Sequence, residues 1–103
     1  MSFNKGEIGA TVYADFGSDI STATSIKMIL EPEIGTAKEF AAVLGTSNIT
    51  IDNIDYVANE YAHYTTAADT DLDYVGRWRK KLDGTFSASS VLQSDYSKFR
   101  VLS

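Results

Sequence analysis

From Arg77 to Leu82 the chain alternates with period two: Trp78, Lys80 and Leu82 fall on one face, and Arg77, Arg79 and Lys81 on the other. That is the period of a β-strand, whose successive side chains point to opposite sides of a pleated ribbon. Trp78 is the chain's only tryptophan, so the face it shares with Leu82 is expected to turn inward and the three cations outward. Lys80 interrupts the inward face. An inward lysine is a known guard against edge-to-edge pairing, so it predicts a strand near a sheet edge. Before this strand, residues 64–66 read as the end of another. The loop between them carries Asp69, Thr70 and Asp71, whose side-chain oxygens satisfy turn backbones locally. Leu72 and Val75 are expected to plug one end of a core, and Gly76 to give the chain freedom as it enters the next strand.

The same alternation recurs along the chain. Residues 8–16 set Ile8, Ala10, Val12, Ala14 and Phe16 against Gly9, Thr11, Tyr13 and Asp15. After a turn at 17–19, Ile20 and Ala23 are expected to pack inward. Residues 25–31 place Ile26, Met28 and Leu30 on one face. Pro32, the only proline, cannot donate to a ladder and ends that strand. In residues 36–44 the Ala, Lys and Glu favour helix, and the segment could form two helical turns. The preceding turn and the short length favour strand. Residues 49–57 read as a strand disturbed at Asp52-Asn53, as a bulge or a hairpin tip. Residues 60–65 set Tyr61, His63 and Thr65 against Glu60, Ala62 and Tyr64. Asp83-Gly84 is the strongest short hairpin signal. Serine-rich 85–94, with Val91 and Leu92, reads as a loose hairpin arm, and 96–102 as the last strand. About seven strands at spacings of roughly ten residues predict an all-β antiparallel sandwich or small barrel.

A chain of 103 residues fits one domain, 1–103, and buries roughly 65% of its unfolded surface. Residues 1–6 read as a flexible or partner-bound arm in which Phe3 is the only large apolar side chain. There are no cysteines and one histidine, which excludes thiolate and His-pair metal sites. No apolar run reaches the ~18 residues of a membrane span, and the N-terminus lacks the basic start and apolar core of a signal peptide. The formal charge is −5, a poor basis for binding nucleic acid, where affinity comes mainly from phosphate neutralisation. No membrane or nucleic-acid partner is expected. The exception to the acidic balance is the run at 77–81. A cationic strip on an acidic body suits docking to a protein partner or a neighbouring copy.

No residue pattern predicts catalysis or a cofactor. His63 has no activated nucleophile nearby in the sequence and there is no G-x-S-x-G elbow. Asp69, Asp71 and Asp73 have the spacing that opens a calcium loop. However, Tyr74 stands at the sixth place instead of glycine and Lys80 at the twelfth instead of glutamate. Glu31, Glu33 and Glu39 flank a proline turn and need no catalytic explanation. Catalytic, cofactor and metal residues are therefore expected to number none. Docking is instead expected at the two apolar arms, Phe3 and Val91 with Leu92, and at the strip of Arg77, Arg79 and Lys81.

A family resemblance is carried by runs in fixed order: G-E-I-G-A-T at 6–11, D-I-S-T-A-T at 19–24, I-L-E-P-E-I-G-T at 29–36, Y-T-T at 64–66, D-L-D at 71–73 and V-G-R-W at 75–78. This order resembles small tailed-phage virion proteins and the N-terminal domain of phage baseplate upper proteins. Those typically read G-D-I-G-T, D-L-S-G-A-T, K-P-D-G-T, then Y-T-T followed by D-L-D-x-x-G-x-W. The turn here, E-P-E-I-G-T, is one residue longer and lacks the lysine, and the run after Trp78 is more basic. The resemblance implies an immunoglobulin-like β-sandwich and a non-enzymatic structural role in a tail, baseplate or fibre assembly. It further implies other virion proteins as partners, many copies in a symmetric particle, and a place in the virion after assembly in the host cytoplasm. A capsid decoration (cement) protein is the alternative role, and a carbohydrate-binding module using exposed tyrosines a third.

Overall fold

The computed structural model describes residues 2–87 and 89–103. Position 1 of the expected arm and position 88 of the serine-rich run lie outside them. The described residues form eleven strand segments and no helix. These are β1 (Ser2–Asn4), β2 (Thr11–Asp15), β3 (Ser25–Pro32), β4 (Lys38–Ala41), β5 (Val43–Leu44), β6 (Ile49–Ile51), β7 (Ile54–Tyr56), β8 (Tyr61–Thr65), β9 (Gly76–Ser87), β10 (Ser90–Gln93) and β11 (Ser97–Leu102). One sheet has the order β1-β11-β9-β3-β4, with β10 also on β9; a second has the order β2-β8-β5; β6 and β7 form a separate hairpin.

The two larger sheets share one core. The smaller contributes Val12, Ala14 and Ala62, and the larger Met28, Leu30, Trp78, Leu82, Phe99 and Val101; Ile20 and Leu72 close it from the loops. Trp78 is 2% exposed. Its ring stacks on Phe99 at 5.8 Å between centroids, and its indole Nε1 donates to the Tyr74 carbonyl at 2.8 Å. Burial of the indole thus leaves no polar atom unpaired.

Strand β9 is central and long. Strand β3 covers one of its edges from Trp78 to Thr85. The other edge is shared by β11 along 76–80 and β10 along 83–87. This corrects two expectations. The strand that carries Lys80 does not lie near an edge. Asp83-Gly84 is not a turn either: the chain runs straight through it, and β9 pairs with β10 from Ser87 opposite Ser90 to Asp83 opposite Gln93. Gly84 pairs with Ile26 on one side and Leu92 on the other. A Cβ there would sit 3.2 Å from the Phe86 ring and 3.7 Å from the Phe16 ring. Two aromatic rings over the bare backbone and ladder bonds on both edges outweigh the local turn preference of the dipeptide.

Residues 2–4 are also not an arm. They pair in parallel with β11, and Phe3, 8% exposed, meets Phe99 edge to face at 5.7 Å. A three-residue strand is too short to show a period, so its pairing was invisible in sequence. The expected strand at 8–16 begins only at Thr11, and Ile8 is 62% exposed. The left-handed backbone of Gly6 and Gly9 turns that run away from the sheet. Residues 36–44 are extended, as expected, but broken. Strand β4 pairs with β3, and after Ala42 the chain passes to the other sheet, where β5 pairs with β8. Asp52 and Asn53 both have positive φ, at 51° and 64°, so they are the tip of the β6–β7 hairpin, the backbone of a primed two-residue turn.

Three of the runs singled out in sequence, 6–11, 64–66 and 71–73, meet at one end of the sandwich. Gly6 N donates to the Leu72 carbonyl at 2.9 Å, and Gly9 N to the Thr66 carbonyl at 2.8 Å. Thr66 Oγ1 accepts from Ala10 N and donates to the Glu7 carbonyl. Asp71 receives the Tyr64 hydroxyl at 2.7 Å and the backbone N–H groups of Ala67 and Ala68.

Candidate interaction surface

Strand register builds the cationic face. On the side of β9 turned away from the core lie Arg77, Arg79 and Lys81; Arg77 and Arg79 are exposed and Lys81 half-buried. Antiparallel pairing with β11 sets Arg100 opposite Arg77 and Lys98 opposite Arg79. Glu31 ion-pairs with Arg79, and Glu33 lies 3.9 Å from Arg77. The Arg79 guanidinium sits 3.9 Å from the Tyr96 ring centre and Lys81 Nζ 5.0 Å from it. Lys81 also donates to Gln93 Oε1 at 3.0 Å. A shallow hollow of about 340 Å³ opens here, lined by Glu31, Pro32, Glu33, Arg77, Trp78, Arg79 and Lys98.

Sequence had isolated three of these cations. Lys98 and Arg100 were not joined to them, because nothing in the chain says that β11 lies beside β9 in this register. Of the other expected docking residues, Val91 and Leu92 lie on β10, 54% and 52% exposed. Phe3 belongs to the core, which removes it from any surface.

Lys80 points inward between Trp78 and Leu82 and is 4% exposed. Its ammonium lies 5.9 Å from the Phe99 ring centre. Burial pulls its pKa down to about 8, and the Asp52 carboxylate at the hairpin tip partly opposes the fall.

The acidic loop holds its carboxylates apart. Asp71 turns in, Asp73 takes Lys38 Nζ at 3.2 Å, and Asp69 is exposed. Burial pushes the Asp71 carboxyl up, but the bonds from Tyr64, Ala67 and Ala68 and the charge of Lys38 outweigh it and hold the group below its ordinary value. Burial first, and then the bond to Asp71, raises the Tyr64 phenol to about 12. Among the described residues no three His, Asp or Glu side chains converge as a metal site. His63 lies on the outer side of β8, its ring 5.8 Å from Tyr13. Tyr13, Tyr56 and Tyr61 form a cluster there, with Tyr56 and Tyr61 both 3% exposed. No helix of the described residues is long and apolar enough to cross a membrane.

Neither protein-family models, nor curated proteins, nor solved structures give a match to this chain.

Proposed function

We propose that this chain is a non-enzymatic structural component of a tailed-phage particle, an adaptor in its tail, baseplate or fibre assembly, built on an immunoglobulin-like sandwich. The observation that supports the fold is strand order; the particle role rests on the sequence resemblance. Immunoglobulin-type sandwiches set strands A-B-E-D against C-F-G, and variable-type domains add C′ beside C. Taking β2, β3, β4, β5, β8, β9 and β11 as B, C, C′, D, E, F and G gives B-E-D in the smaller sheet and G-F-C-C′ in the larger. On that assignment β6–β7 is an insertion between D and E, and β10 one between F and G. Three of the runs that carry the resemblance, 6–11, 64–66 and 71–73, also bond to one another at one end of the sandwich. That supports reading their order as a mark of fold.

The structural role draws on the surface. A cationic face on an acidic domain steers and orients docking. Burial of Tyr56 and Tyr61 counts against a glycan platform built from this tyrosine cluster. The test is fractionation of purified particles into heads and tails, with an immunoblot for this chain in each. Tail association is expected. Head association would instead make it a decoration protein, and absence from both would overturn the reading.

A further inference from the structure

We propose that copies of this domain associate head to tail, the cationic face of β9 and β11 of one copy receiving the acidic loop end of the next. The inference rests on reading the chain as an assembly component and names the surfaces it would use. Three observations carry it.

Charge is segregated. Segments 76–82 and 97–100 hold six of the nine lysines and arginines and no acid. Segments 15–24 and 45–60 hold Asp15, Asp19, Asp52, Asp55 and Glu60 and no lysine or arginine. Backbone bonds gather the second pair of segments: Phe16 N to the Glu60 carbonyl, Ile20 N to the Asn59 carbonyl and Asn59 N to the Gly45 carbonyl, each at 2.8 Å.

The cationic face is held against its own repulsion. Arg77 faces Arg100 and Arg79 faces Lys98 across the ladder, and like charges directly opposite destabilise a sheet. Glu31 and Glu33 offset this from the β3 side only. Lys98 and Arg100 make no ion pair among the described residues. With Arg77 and Phe99 they line a hollow of about 420 Å³, a concave seat for a protruding acidic loop.

The first acidic segment lies at the far end of β9 from Arg77. Thr24, which closes the first acidic segment, donates its N–H to the Thr85 carbonyl at the far end of β9. Eight residues separate Arg77 from Thr85, roughly 26 Å of extended strand. Separated complementary patches allow heterologous pairing, which generates rings or filaments.

The test is sedimentation velocity of the whole domain at about 50 mM and about 500 mM salt, since surface charges are largely screened at the higher value. The wild type is expected to associate at low salt and to dissociate at high salt. Lys98→Glu with Arg100→Glu should weaken association about tenfold or more. So should Asp15→Asn with Asp19→Asn and Asp55→Asn, which keep the oxygen that each carboxylate offers its own loop. Mixed in equal amounts, the two variants should form dimers and nothing larger, because each retains one working surface. A wild type that stays monomeric at low salt overturns the proposal, as does association that either variant leaves intact or a mixture that polymerises. The particle fractions decide the structural role separately. A tail protein that is monomeric at low salt defeats only this inference; self-association without a place in particles defeats only the phage reading.

Discussion

Lys80→Met should stabilise the domain at neutral pH. The lysine is 4% exposed on the inner face of the central strand, and burial brings its pKa from 10.5 to about 8. That fall corresponds to about 3 kcal/mol of cost for keeping the ammonium charged in the core. The attraction of Asp52 is already included in it. Methionine keeps the length and the apolar stem and has no charge to desolvate. Asp52 is exposed, so water replaces its lost partner. Urea denaturation at pH 7 should therefore show a gain approaching 3 kcal/mol, with a melting temperature higher by on the order of 10 °C. The pH dependence supplies the sharper check. Because the folded-state pKa is depressed, the unfolded chain binds more protons between about pH 8 and 10.4, and wild-type stability climbs across that window. The variant lacks this climb, so its advantage should shrink towards zero by about pH 10.5. A variant less stable than wild type at pH 7, or a gain equal at both pH values, would show that the ammonium does not reside in the core.

Trp78→Ala should cost about 3–5 kcal/mol by equilibrium denaturation, because a void would open against Phe99 and the Tyr74 carbonyl would lose its donor; a loss under about 1 kcal/mol would place the indole at the surface. Tyr64→Phe should cost about 1.5–3 kcal/mol at pH 7, the worth of a hydrogen bond to a charged group. The raised phenol gives wild type stability that is present below about pH 10 and lost as pH rises towards 12, so the variant should lack that contribution in an alkaline titration. Gly45→Ala places a Cβ 2.0 Å from the Tyr61 ring and should destabilise by about 3 kcal/mol or more, read as an early melt; an unchanged melting temperature would mean that β5 does not approach β8 so closely.

How much of this was legible follows from the range of the forces involved. Strands β3, β8, β11 and the first half of β9 announce themselves by alternation, because each turns every second side chain to the core. The burial of Trp78 and the outward turn of Arg77 and Arg79 follow from the same rule. What escaped depends on neighbours distant in sequence. Lys80 reads as an edge residue until β3 and β11 are known to flank it. Asp83-Gly84 reads as a turn until Phe16 and Phe86 cover it. Strand β1 is three residues long and shows no period, so Phe3 read as a surface anchor. The cationic face was half visible, since its second row depends on the pairing of β9 with β11.

The most direct test of the structural role is the copy number of this chain in gradient-purified particles, measured by quantitative mass spectrometry against a known virion component. A fixed, stoichiometric number that survives repeated gradients is predicted. Recovery of the chain only from the soluble lysate, with none in the particle band, would contradict it.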